Sequence, residues 1–167
     1  MEPENKSQNI IKPVNAGASE SHIENFEKFQ AQAVNAIVKD FSEKPTGRYL
    51  LVIPTGGGKT RTAVKSINRL FETKILNSEN DRVLWTAHRE ELLKQAKDAF
   101  LRFSDLYPER SGFAKNIVFM MIGRADEYLN ANKNVKIVVI DEAHHAATKN
   151  ISYGPIFTHT NIGILGL

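Results

Sequence analysis

The sequence predicts a three-layer α/β domain built on a mainly parallel sheet. Three observations predict it. Segments with helical spacing alternate with short apolar runs. Most of those runs are almost continuously apolar, as strands covered on both faces are, which calls for crossover helices above and below the sheet. Glycine-rich and acidic motifs fall just after the runs, where open α/β sheets bind ligands. At 167 residues the chain is long enough for one domain with a sizeable core.

Residues 1–25 are rich in Glu, Ser, Asn and Lys and have no apolar period, which predicts a flexible N-terminal tail. From residue 26 to 167 the pattern is regular. Phe26–Phe41 carries Phe26, Phe29, Ala33 and Ile37 at helical spacing. Tyr49–Ile53, bounded by Pro45-Thr46-Gly47 and Pro54, predicts a buried strand. Thr60–Phe71 is helical, with Ala63, Val64, Ile67 and Leu70 on one face. Arg82–Ala87 is a strand and Glu90–Phe103 a helix. Ile117–Ile122 is a strand, Asp126–Asn130 a short helix, and Val135–Ile140 and Ile162–Leu167 the last two strands.

The formal charge is +3, with a slightly acidic tail, so the rest of the chain is more basic than the total. That permits a nucleic-acid partner without requiring one. The chain has no cysteine, which excludes a disulfide frame, a thiolate metal site and a thiol nucleophile. No apolar run approaches the length that spans a bilayer. The polar start lacks the basic-then-apolar order of a secretion signal, so the expectation is a soluble, cytoplasmic protein. The sequons at Asn5 and Asn150 then read as chance matches.

Pro54-Thr55-Gly56-Gly57-Gly58-Lys59-Thr60 lies between a predicted strand and a predicted helix. Glycines let a backbone turn tightly and aim its N–H groups at phosphate oxygens. The helix start adds its positive end. Lys59 can reach the β- and γ-phosphates of ATP, and the Thr60 hydroxyl can ligate Mg²⁺. The full phosphate-loop pattern begins with Gly, where this chain has Ile53. The plain alternative is a glycine turn followed by a surface lysine.

Val138–Ile140 delivers two adjacent carboxylates, Asp141 and Glu142. Asp141 can hold the Mg²⁺ shell. Glu142 can orient and deprotonate a water against the γ-phosphate. Alone, such a pair is as readily a solvated turn or a helix cap; downstream of a phosphate loop the catalytic reading dominates. His144 and His145, adjacent in sequence, do not share a helix face, which argues against a zinc site between them.

Asp141-Glu142-Ala143-His144 resembles the DEAH box of superfamily 2 helicases, in particular the group containing type III restriction enzyme subunits. Pro54–Thr60 looks like helicase motif I. Thr86–Leu92 looks like motif Ia, whose counterparts touch the nucleic-acid backbone. Phe29–Val34 is similar to the Q motif, with Gln30 at the position that reads adenine, although Glu27 stands where a basic residue is common. The resemblance runs from about Phe26 to Leu167. It implies a RecA-like P-loop NTPase domain that uses ATP and Mg²⁺. Thr55, Gly56, Gly57, Gly58, Lys59 and Thr60 would hold the phosphates, Thr60 and Asp141 the metal, and Glu142 the water. His144 would couple the nucleotide to the nucleic-acid side. Val118–Arg124 lacks the usual Thr of motif Ib, and nothing is carried over there. Ile164–Leu167 looks like the strand leading into motif III, and by the same comparison the chain stops before that motif and before the second motor domain.

His88 and Arg89 follow a strand and open a helix, as phosphate contacts do. A solvated helix start with Glu90 and Glu91 favoured by the dipole fits equally well on residue chemistry alone; the resemblance favours nucleic-acid contact, with DNA ahead of RNA. The Arg61, Lys65 and Arg69 stripe reads as a solvated face, and Trp85, inside a strand, as packing. The expected function is the ATP-binding motor domain of a nucleic-acid-dependent ATPase, nearly inactive in hydrolysis without its partner domain. A nucleotide-binding module without turnover and a P-loop kinase are the rivals.

Overall fold

The computed structural model describes residues 16–54, 56–107, 113–147 and 153–167, and for residues 16–24, 26, 146 and 147 the backbone alone. Among these residues five strands form one sheet: β1 (Arg48–Leu50), β2 (Arg82–Ala87), β3 (Ile117–Met121), β4 (Val135–Ile140) and β5 (Gly163–Gly166). Their spatial order is β1-β5-β4-β2-β3, and every neighbouring pair is parallel. Four α-helices among the described residues accompany them: α1 (Ala16–Glu43), α2 (Lys59–Glu72), α3 (Glu90–Leu106) and α4 (Ala125–Ala131). Short 3-10 turns follow β3 and β4, and another, Gly154–Thr158, precedes β5.

The central strands are buried on both faces. Val83, Trp85, Ile137, Val139 and Leu165 pack with Ile37, Phe41, Val64, Ile67, Leu70, Ala96 and Phe100, which come from α1, α2 and α3. The intervening residues Leu84, Val138, Ile140 and Ile164 pack on the other side with Ala125, Leu129, Tyr153 and Ile156. Successive strand side chains point to opposite faces. A near-continuous apolar run is therefore what two cores sharing one sheet require. The three-layer, all-parallel architecture of a RecA-like P-loop domain is thus present.

Three details differ from the sequence expectation. The first helix starts at Ala16, ten residues before the expected Phe26. The strand expected over Tyr49–Ile53 keeps ladder pairing only over Arg48–Leu50, continued by Leu51 N–H donating to the Gly166 carbonyl at 2.8 Å. It is an edge strand: Leu51 and Ile53 enter the core, while Leu50 and Val52 are 65% and 76% exposed. Lys65, expected on a solvated face, is half-buried and donates to Gln30 Oε1 at 3.4 Å. Burial lowers its pKa, and the Arg61 charge lowers it further. Trp85 is packing, as expected, fully buried and edge-on to Phe100 with ring centroids 5.7 Å apart.

The first residue of β5 is held against the end of α1. A Cβ at Gly163 would fall 2.5 Å from the Pro45 carbonyl oxygen and 2.6 Å from the Phe41 ring. The carbonyl belongs to backbone that cannot rotate away. Gly163→Ala should therefore overpack this junction and destabilise the domain by about 1–3 kcal/mol. Urea unfolding of the two chains measures it, and an unchanged midpoint would show that the junction yields.

Candidate nucleotide and nucleic-acid site

The carboxyl ends of the strands lie level because the parallel register aligns them. Leu50 pairs with Gly166, Gly166 with Ile140, Ile140 with Thr86 and Thr86 with Met120. Whatever follows these residues in sequence meets on one rim. The rim holds the glycine loop after β1, His88 after β2 and Asp141-Glu142 after β4.

The loop glycines are required for two reasons. Gly56 and Gly58 have φ of 78° and 75°, the left-handed region that side chains avoid. Gly57 is needed for space: a Cβ there would lie 2.3 Å from Ile53 Cγ2 and 2.7 Å from the Pro54 carbonyl. Ile53, at the position where the common pattern has Gly, is buried in the core beneath the loop. Gly57 N–H donates to the Pro54 carbonyl at 2.8 Å and closes the turn. Gly58 is the N-cap of α2, which has no side-chain cap and no acidic residue in its first turn. Its positive end is left for an anion. Lys59 and Thr60 are half-buried at that end. Thr55 lies outside the described residues.

Asp141 is 7% exposed. Burial pushes its pKa up, opposed by the Trp85 indole N–H, by the Glu142 backbone N–H donating to Oδ1 at 3.0 Å, and by the charge of Lys59, while the Glu142 charge adds to the rise. The Trp85 N–H makes no hydrogen bond of standard geometry, so it acts on the carboxyl by proximity. A dry carboxylate in reach of a lysine field, beside an uncapped helix start, is a donor set that fits a hard, oxygen-seeking cation and a polyphosphate.

Glu142 adopts φ of 52°, unusual for a residue with a side chain. Its Oε2 lies 3.6 Å from His88 Nε2 and 3.4 Å from His145 Nε2. His88 is half-buried and its ring turns to Glu142; Arg89 is exposed at the N-cap of α3. His144 is exposed, with its ring 4.3 Å from that of His145. Gln30 is 1% exposed; its Oε1 faces Lys65, and its Nε2 has no hydrogen-bond partner. His145 has a contact that sequence reasoning missed. The available signal was its spacing: three residues after Glu142 is one turn of a 3-10 helix, which brings i and i+3 together. No helix among the described residues is long and apolar enough to cross a membrane.

A search of curated proteins gives no match. A family model, described as type III restriction enzyme, res subunit, matches residues 24–167. That span contains the sheet, the glycine loop and the Asp141-Glu142 pair. The chain therefore belongs to the type III restriction enzyme res-subunit family, a domain related to superfamily 2 helicases.

Proposed function

We propose that the chain is an ATP-binding motor domain that binds Mg-ATP on the strand-end rim and, joined to a second motor domain, couples hydrolysis to movement on nucleic acid. The observation that carries this reading is the buried Asp141 carboxylate beside the Lys59 charge at an uncapped helix start. Gly56, Gly57 and Gly58 wrap the phosphates, Lys59 contacts the β- and γ-phosphates, and Thr60 and Asp141 hold Mg²⁺. Mg²⁺ held there would supply positive charge against the phosphates. Thr55 takes part in the loop by its place in the sequence. The unpartnered Gln30 Nε2 is a donor for the adenine edge. Glu142 is the general base, and its carboxylate also lies beside His88 and His145. Arg89 contacts a nucleic-acid phosphate directly, with His88 behind it. His144, exposed beside His145, couples the two sides. The family's restriction-enzyme name favours DNA over RNA.

The closeness of the Glu142 carboxylate to His88 and His145 favours one rival, a nucleotide-binding module without turnover. Phosphate release with and without DNA or RNA, from a chain joined to a second motor domain, separates the two. Stimulated release that Glu142→Gln abolishes, with ATP affinity kept, is the expected result, because Gln retains the shape and removes the base. Absence of release, or full release by the mutant, would sink the assignment.

Lys59→Ala should weaken Mg-ATP binding at least about tenfold, or about 1.4 kcal/mol. Titration calorimetry on the domain measures it; equal affinity would mean that Lys59 does not reach the phosphates.

Asp141 also predicts a trade between function and stability. A carboxyl whose folded pKa is raised takes up a proton on folding, so its ionisation opposes the fold. The penalty is absent below the unfolded pKa and complete above the folded one. Asp141→Asn should therefore raise the melting temperature of the nucleotide-free domain at pH 7, by about a few degrees. The gain should shrink as pH falls through the carboxyl range, and Mg-ATP should no longer stabilise the variant as it does the parent. Thermal melts across pH check this; a lower melting temperature at pH 7 would contradict the burial penalty.

A further inference from the structure

His88, Glu142 and His145 form a cluster that the nucleotide reading does not use as a whole. They come from two adjacent strands. Thr86 pairs with Ile140, so the residues two further on, His88 and Glu142, stay side by side. The 3-10 turn after β4 then folds His145 back, with His145 N–H donating to the Glu142 carbonyl at 3.0 Å. The His88 and His145 rings meet edge-on, centroids 4.4 Å apart. One donor atom from each of the three side chains lies within 4.8 Å of the other two.

Two features set this cluster apart from an ordinary polar contact. Both ring nitrogens of His88 are shut off from solvent and make no hydrogen bond. A buried polar group left in that condition costs about 1–3 kcal/mol, and native structures rarely keep one without a use. The nitrogen-to-oxygen separations of 3.6 and 3.4 Å exceed the usual N–H···O range. They match another geometry. Donor atoms each about 2.0–2.1 Å from a tetrahedral Zn²⁺ are separated by about 3.3–3.4 Å. Two imidazole nitrogens and one carboxylate oxygen also suit Zn²⁺, Co²⁺ and Ni²⁺, whereas Mg²⁺ selects oxygen donors in an octahedron.

We propose that His88, Glu142 and His145 form a binding site for a transition-metal dication of the Zn²⁺ class, distinct from the Mg²⁺ position at Thr60 and Asp141. Three protein ligands leave a fourth position for water. The metal ties the end of β2 to the turn after β4. Resting on the role proposed above for Glu142, occupancy also captures the general base, so it blocks hydrolysis without removing the phosphate loop's hold on ATP.

The test is uptake of ZnCl₂ by the 167-residue chain, followed by titration calorimetry without nucleotide, with CoCl₂ as a visible-absorption probe of a four-coordinate site. One Zn²⁺ per chain is expected, with uptake unchanged by about a hundredfold excess of Mg²⁺. His88→Ala and His145→Ala should each weaken it at least about tenfold, and His144→Ala should leave it unchanged. Metal-free melts check that the variants fold. A Zn²⁺-dependent rise in the melting temperature of the unaltered chain, reversed by a chelator, reads the site without any substitution. Absence of uptake, octahedral cobalt spectra, or uptake equal in all variants would overturn the proposal; the last would place the metal elsewhere, for example at the His159–Asp126 pair, 2.8 Å apart. Zn²⁺ uptake does not depend on whether Glu142 activates water, so the two readings fail separately.

Discussion

The parallel register of β4 with its neighbours is the constraint on which the rest of the structure depends. β4 lies between β5 and β2, and its last residue, Ile140, pairs with Gly166 on one side and Thr86 on the other. The ladder runs on past the strand: Asp141 N–H donates to the Thr86 carbonyl at 2.8 Å, and Leu167 N–H to the Ile140 carbonyl at 3.0 Å. These bonds fix where Asp141 emerges. A slip of one residue would exchange the two faces of β4 and send Val138 and Ile140 to the wrong core. Both cores therefore enforce the register, and the register delivers the carboxylates to the rim.

Burial gives the rim its chemistry. Asp141 is close enough to the core for desolvation to dominate its titration, yet it faces Lys59 and the start of α2. In water such a carboxylate would be one acid among many. Here its ionised form costs free energy that a bound cation would offset. The glycine loop follows the same logic in backbone form: two left-handed residues and one with no room for a Cβ leave N–H groups and a helix end without a carboxylate of their own. A fold made stable by two apolar cores carries its unfavourable groups at one edge, where a charged ligand would offset them.

Much of this was legible in the residues. Arg82–Ala87 and Val135–Ile140 are strands with the expected bounds, because each is a short apolar run closed by polar residues. The loop glycines and Asp141 announce themselves by type and spacing. Less legible was whatever depends on lateral position in the sheet. Tyr49–Ile53 reads as a buried strand because its residues are apolar, but exposure depends on which strand lies beside it, and at the sheet edge Leu50 and Val52 face outward. Lys65 has the spacing of a solvated stripe, yet α1 packs against α2 and brings Gln30 over it.

The histidines mark the same boundary. By sequence, His144 and His145 are neighbours that cannot share a helix face, and His88 belongs with Arg89 and the nucleic-acid contacts. In the fold, His145 pairs instead with Glu142 and with His88, which is 57 positions earlier in the chain. The sequence alone determined the class of fold, the glycine loop between strand and helix and the acidic pair, because these follow from local spacing and from side-chain chemistry within a few residues. Only the tertiary structure decided which strand is the edge, how dry Asp141 is and which side chains surround Glu142. Those depend on strand order and register, which arise from packing between segments far apart in the chain and leave no periodic trace in any one of them.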